Sequence, residues 1–168
     1  SKAFNDKKYL TAAVTAADFV HDRLLSKRSD QLFRRIRGEQ AGIGAGLSDY
    51  AWYIHGLINL HEITKDKHWL TMAIKLNKKQ NELFLDENKG GYFDASDHDS
   101  SLLFRSKSIY DGALPAANSV ALSNLIELFT ITKDKRWKQT ADNLIAAFAG
   151  VINANPASTA MALGVFVE

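Results

Sequence analysis

Apolar residues recur at helical spacing through most of this chain, and the pattern comes in copies. After Asp134, the residues Trp137, Ala141, Leu144, Ile145 and Phe148 fall at i, i+4, i+7, i+8 and i+11, which is one face of an α-helix. Trp69, Ala73, Leu76, Leu83 and Phe84 approximate the same stripe after Asp66, and Tyr9, Ala13, Val20 and Leu24 do so after Asp6. A second helical pattern precedes the later two aspartates. Ile54, Leu57, Ile58 and His61 share one face there, as do Ala121, Leu125 and Leu128.

The segment between the two patterns is itself repeated. Ile63-Thr64-Lys65-Asp66-Lys67-His68-Trp69 returns as Ile131-Thr132-Lys133-Asp134-Lys135-Arg136-Trp137, an offset of 68 residues. Asp6-Lys7-Lys8-Tyr9-Leu10 is a fainter copy, 60 residues before Asp66-Lys67-His68-Trp69-Leu70. An aspartate at this place caps the following helix by accepting its free N–H groups. Each unit therefore reads as a helix, a tight Thr-Lys-Asp turn and an antiparallel helix.

Predicted helices cover residues 7–25, 48–63, 67–85, 116–131 and 135–150, with a further apolar pattern over 156–167. Between hairpins the connections at 26–47 and 86–115 are long and read as irregular. They must emerge at one end of the array, the end where function is built. The expected fold class is all-α: antiparallel hairpins forming about half of an (α/α)6 toroid, a fold that the resemblance given below supplies. Residues 1–168 start inside one unit and stop inside the next, so they are expected to form a fragment of a longer helical-hairpin domain. A tetratricopeptide array, with its period of about 34 residues, accommodates the offset of 68 but not that of 60.

Composition narrows the chemistry. The 168 residues are 46% hydrophobic and 24% charged, the make-up of a globular domain. They contain no cysteine, which excludes disulfide and thiolate chemistry from this chain. Twenty-one basic residues against 19 acidic ones do not make a phosphate-binding surface, so nucleic acid is not an expected partner. No apolar run reaches the length needed to span a bilayer, and no secretory signal pattern opens the chain; a cytoplasmic location is the default. The five histidines show no zinc spacing, Asp94, Asp97 and Asp99 lack the frame of an EF-hand, and Gly42, Gly44 and Gly46 lack that of a P-loop. No metal or cofactor is expected.

Helix 48–63 carries the most informative side chains. Asp49, Trp52, Tyr53 and Gly56 lie at i, i+3, i+4 and i+7, opposite the apolar face, so the helix is apolar or aromatic nearly all round and suits an inner position. A carboxylate beside aromatic rings is an arrangement that holds sugars; Asp49 equally complements the helix dipole. His55, one turn further, is either a proton-transfer group or a packed helix histidine. The second cluster is Tyr110-Asp111-Gly112-Ala113-Leu114-Pro115-Ala116-Ala117-Asn118-Ser119, and the 68-residue offset places Ala117-Asn118 where Asp49-Tyr50 stand. Asp49 and Asp111 facing one cleft would supply an acid and a base, or a nucleophile, for glycoside chemistry; alternatively Asp111-Gly112 is a turn and Asn118 or Ser119 a helix cap. Gly90-Gly91-Tyr92-Phe93-Asp94 projects its aromatics over the cleft or plugs them into the core. Arg34, Arg35 and Arg37 form the one basic cluster, and Arg105 and Lys107 are further anion-binding candidates.

These stretches resemble a known family. Leu32-Phe33-Arg34-Arg35-Ile36-Arg37, Gly46-Leu47-Ser48-Asp49-Tyr50-Ala51, Gly90-Gly91-Tyr92-Phe93-Asp94 and the segment from Asp111 to Ser119 are similar, in consistent order, to the YyaL-like proteins. That family is related to the spermatogenesis-associated thioredoxin-domain proteins. The resemblance implies a thioredoxin-like domain upstream and a C-terminal barrel like that of six-hairpin glycosidases and N-acylglucosamine 2-epimerases. It also implies that Arg34, Arg37, Asp49, Tyr50, Asp111, Asn118 and Ser119 sit in the family's recurrent loop motifs. The chain departs from it at Ala116-Ala117, where the family usually has Ser-Gly, and at His55, where Glu or Gln is commoner.

Two functions are expected on this basis. In the first, a carbohydrate-like small molecule is bound or transformed, with Asp49 and Asp111 as acid/base groups and Arg34, Arg37, Tyr50, Trp52, His55, Tyr92, Arg105 and Asn118 around it. In the second, the helices are a non-catalytic scaffold alongside the thioredoxin-like domain. The remaining barrel hairpins and that domain are the expected partners.

Overall fold

The computed structural model describes residues 6–97 and 103–165. Asp99 and the last two residues of the expected 156–167 pattern lie outside them. The helices are α1 (Lys7–Leu24), α2 (Leu47–Thr64), α3 (Lys67–Phe84), α4 (Ala117–Thr132), α5 (Lys135–Ala154) and α6 (Ala160–Gly164), the last entered through a 3-10 turn at Pro156–Thr159.

The repeated turn is a repeated set of hydrogen bonds. Lys65 and Lys133 both adopt the left-handed conformation, φ 59° in each, and their N–H groups return to His61 O and Phe129 O at 2.7 and 2.8 Å. Thr64 Oγ1 donates to Leu60 O and Thr132 Oγ1 to Leu128 O, both at 2.7 Å. Each threonine oxygen in turn accepts the N–H of Asp66 or Asp134 at 3.2 Å. The aspartates then cap the next helix: Asp6, Asp66 and Asp134 accept from Lys8, His68 and Arg136 N–H.

The fainter offset of 60 is just as real. Leu25 bridges Leu32 as Leu85 bridges Tyr92. Ser26 N–H reaches Gln31 O as Asp86 N–H reaches Gly91 O, both at 2.9 Å, and Asp30 and Gly90 both turn at positive φ. At Gly90 and Gly91 glycine is required twice over. Their φ values are +73° and +70°, and a Cβ on Gly91 would lie 2.9 Å from the Phe148 ring, while one on Gly90 would meet the Asn143 carbonyl.

The helices form two layers. α2 and α4 lie side by side as the inner pair, and moving from Ala51 to His55 along α2 moves the contact from Asn124 toward Glu127 on α4, so the two run in parallel. α1, α3 and α5 pack outside them; α3 and α5 each bury a stripe, whereas α1 buries Ala17 alone. Leu47, Ala51, Ile54 and Leu57 of α2 meet Val120, Leu122, Leu125 and Leu128 of α4 in a core with no solvent exposure. Burial at this density is where the stability resides. The short α6 packs against α4, with Ala162 buried.

One expectation needs correction. The 26–47 connection is not irregular: β1 (Phe33–Arg37) and β2 (Gln40–Gly44) form an antiparallel hairpin, Phe33 opposite Gly44 and Arg37 opposite Gln40. Its turn is Gly38 at φ 60° with Glu39, a two-residue signal flanked by strands too polar to show alternation. Gly42 and Gly44, spaced like a phosphate loop, lie in β2.

Candidate functional site

The two long loops meet at the N-terminal ends of α2 and α4, where most of the sequence-predicted residues stand. Asp49 Oδ2 accepts Gly46 N–H at 2.8 Å and Arg34 Nε–H at 3.0 Å, closing the first turn of α2 and tying β1 to it. Asp111 uses both oxygens on backbone: Oδ1 accepts Ala116 N–H at 2.8 Å and Oδ2 accepts Met161 N–H at 2.9 Å. It thereby clips its loop to the starts of α4 and α6. Both carboxylates hold helix N-termini, whereas Asn118 and Ser119, the cap candidates of the sequence, lie inside α4, whose N-cap is Ala116.

Two of the three aromatic assignments change, those of Tyr50 and Tyr92 but not that of Trp52. Tyr50 and Tyr92 are fully buried, so neither can stack on a ligand. The Tyr50 hydroxyl accepts Leu32 N–H at 2.8 Å, and the Tyr92 hydroxyl donates to Asn81 Oδ1 at 2.7 Å, its acidity suppressed by burial. Asn118, also buried, accepts Tyr92 N–H and donates to Tyr92 O and Ser108 O. These three side chains pin loops; they are unavailable to a ligand because every polar group they own is spent inside the core or against backbone.

The arginines scatter. Arg37 is exposed at the end of β1, and Arg105 stacks its guanidinium 3.9 Å from the Phe93 ring centre. Lys107 Nζ is held by Asp86 Oδ2 at 2.7 Å and Gly90 O at 2.9 Å. The Asp94 carboxyl is pushed upward by partial burial, against the Ser106 hydroxyl that donates to it at 2.9 Å.

His55 does reach a cavity. A groove of about 700 Å³ runs between α2, α4 and α6, with Ile58, Ile126, Met161 and Val165 as its apolar floor and His55, Asn59, Glu62, Ser123, Glu127 and Thr130 as polar walls. On α2 the polar wall is one stripe, His55, Asn59 and Glu62, continued toward the N-terminus by Trp52, whose indole meets the imidazole edge-on at 5.9 Å. His55 Nδ1 lies 3.2 Å from Asn124 Oδ1 and 4.0 Å from Glu127 Oε1, and Ser123 Oγ donates to the same Glu127 oxygen at 3.1 Å. Asn59 Nδ2 donates to His55 O at 2.9 Å.

Asp49, Asp111, Arg34, Arg37 and Arg105 are not among the lining residues of this groove. Glu127, Glu62, Asn59 and Ser123 are, and sequence reasoning passed over them. The available signal was their polarity on helices otherwise apolar all round, since a polar residue on an inner helix needs a reason to be there. Among the described residues no group of three or more metal-ligating side chains is assembled, and no helix is long and apolar enough to cross a membrane.

No family model matches the chain. Spermatogenesis-associated protein 20 of Rattus norvegicus is 33% identical over 155 residues, which is 85% of this chain and 19% of that protein. The Homo sapiens protein of the same name is 38% identical over 104 residues, 61% of this chain and 13% of its own length. The chain is a homologue of spermatogenesis-associated protein 20. It spans a fifth or less of the length of these curated relatives.

Solved structures fix the fold to which this part of the homologue belongs. A family 76 glycoside hydrolase of Bacteroides thetaiotaomicron superposes with TM-score 0.67 at 15% identity, over 84% of this chain and 30% of its own. Cellobiose 2-epimerase of Spirochaeta thermophila gives 0.66 at 21% over 87% and 38%, and a D-mannose isomerase gives 0.70 at 16% over 89% and 41%. The chain is thus part of an (α/α)6 toroid of the six-hairpin glycosidase type, with α2 and α4 among its inner helices.

Proposed function

We propose that the groove between α2, α4 and α6 binds a neutral, carbohydrate-like small molecule and that His55 and Glu127 move a proton on it. The observation that carries this reading is the meeting of these two titratable side chains, 4.0 Å apart, in the wall of a groove with an apolar floor. An imidazole titrates near neutral pH and a neighbouring carboxylate stabilises its cation, the pairing that general acid–base transfer needs. Asn59, Ser123 and Thr130 offer hydrogen bonds to hydroxyls, and the floor suits the apolar face of a sugar ring. Among the described residues the groove's polar lining is neutral or acidic, and the ligand class named is the one that needs no cation from this chain. Sugar-acting names among the structural neighbours support the ligand class by analogy of fold alone.

This reading moves the acid–base role from Asp49 and Asp111 to His55 and Glu127. It favours epimerase- or isomerase-like proton transfer over hydrolysis by Asp49 and Asp111, whose carboxylates are engaged at helix N-termini. In the intact protein, further hairpins close the groove and a thioredoxin-like domain accompanies the toroid.

The second reading is a non-catalytic scaffold, and the backbone-capping roles of Asp49 and Asp111 favour it. One experiment separates the two. The full-length protein is screened by thermal shift against neutral mono- and disaccharides, sugar phosphates and uronic acids, and hits are incubated in deuterium oxide. Selective stabilisation by a neutral sugar, with solvent deuterium entering it, supports the enzyme; no stabilisation by any of them supports the scaffold.

A further inference from the structure

A neutral imidazole carries a single N–H, and which nitrogen holds it decides whether the other can act as a base. At His55 that choice is made by Asn124. The Asn124 side chain is fully buried, and its amide has only one workable orientation. The Ala51 carbonyl can only accept, so the end of the amide 2.8 Å from it is the donating Nδ2. The end 3.2 Å from His55 Nδ1 is then Oδ1, which also can only accept. Two acceptors cannot share a hydrogen bond, so Nδ1 must carry the proton. Glu127 Oε1, 4.0 Å from the same nitrogen, pulls in the same direction.

We infer that Asn124 is a positioning residue that locks His55 in its Nδ1–H tautomer and leaves the Nε2 lone pair for the groove. Free histidine side chains favour the opposite tautomer, with the proton on Nε2, so the lock reverses an intrinsic preference. No hydrogen bond from a described residue occupies Nε2. His55 is thereby a hydrogen-bond acceptor and base toward whatever enters, and it takes ligands that present an O–H or an acidic C–H. The ligand's bond to hydrogen breaks, its electron pair stays on the ligand, and Nε2 takes the proton. The resulting imidazolium keeps Nδ1–H on Asn124 with the Glu127 carboxylate beside it, and returns the proton from Nε2. This role rests on the proposed proton transfer; the tautomer itself does not.

The test is the ring ¹⁵N spectrum of His55 in full-length protein labelled at histidine, recorded above the pH at which the ring titrates and assigned by loss of its signals in His55→Gln. The expected pattern is a protonated Nδ1 and a bare Nε2 in the wild type. Asn124→Leu removes the acceptor and should return the majority to Nε2–H. A wild-type ring protonated on Nε2 overturns the inference without any variant, and an Asn124→Leu ring still protonated on Nδ1 overturns the role of Asn124. If Asn124→Leu does not fold, the wild-type spectrum still decides the tautomer. No ligand is present in the measurement, so an unsuccessful sugar screen leaves the tautomer standing, and a reversed tautomer leaves binding in the groove standing.

Discussion

Tyr50 and Asn118, 68 residues apart in successive units, make the same hydrogen bond: each accepts the backbone N–H of the residue that closes the preceding loop, Leu32 for Tyr50 and Tyr92 for Asn118. One uses a phenol and the other an amide, so the repeat preserves the bond without preserving the side chain. Removing either acceptor strands a buried N–H, which costs about 1–3 kcal/mol. Tyr50→Phe should lose an amount in that range. Asn118→Ala should lose more, because it also abandons the carbonyls of Tyr92 and Ser108. Denaturant unfolding of both variants checks the order, and an Asn118→Ala protein as stable as wild type would refute it.

Acid should release the second long loop. Lys107 donates to Asp86, with the N–H groups of Lys89 and Asn88 beside it, and together they hold the Asp86 carboxyl at about 2. The unfolded value is about 3.9. A carboxyl depressed on folding contributes stability above its unfolded value, and that contribution is lost as pH falls from about 4 toward 2. Lys107→Met should therefore lower the unfolding midpoint at pH 6, and the gap to wild type should narrow toward pH 2 to what the bond to the Gly90 carbonyl contributes. A gap that stays constant across that range would show that the ion pair is not its source.

The left-handed lysines invite a stabilising change. Lys65 and Lys133 sit at φ 59°, a conformation that costs a residue with a Cβ about 1–2 kcal/mol and glycine almost nothing. Lys65→Gly and Lys133→Gly should each stabilise the fold by roughly 0.5–1 kcal/mol after glycine's greater unfolded-state entropy is offset. The two sites share no hydrogen-bond partner, so the double variant should show the sum. Destabilisation by either would mean that the lysine side chain contributes a contact outweighing backbone strain.

Asp49 tests the reassignment of the site. Asp49→Asn keeps the shape but weakens the bonds to Gly46 N–H and Arg34, and should cost about 0.5–2 kcal/mol, as other capping losses do. It should leave ligand-induced stabilisation intact. A stable Asp49→Asn protein that no longer responds to ligand would return Asp49 to the binding site.

What could be read from the chain and what could not divides along a physical line. The Thr-Lys-Asp turns, their caps and the helix spans are local chemistry, and Ile63 to Trp69 announces them within seven residues. Which face of an inner helix looks at the core is a tertiary fact. Tyr50 and Trp52 are two positions apart on α2, yet Tyr50 is buried against Phe84 and Trp52 is 38% exposed beside His55. The pairing of His55 with Glu127 needed the parallel packing of α2 and α4, which no spacing within either helix encodes. The hairpin at β1 and β2 was hidden for a different reason: its strands carry exposed arginines and glycines, and only Gly38-Glu39 marked the turn.

The account turns on His55, and the most direct measurement is solvent-deuterium exchange into the neutral sugar that stabilises the wild type most, compared in full-length wild type, His55→Gln and Glu127→Gln alongside their ligand-induced thermal shifts. Both variants should fold with midpoints near wild type and lose solvent-deuterium exchange into the sugar, with His55→Gln losing it completely. Unchanged stabilisation and exchange in His55→Gln would contradict the account.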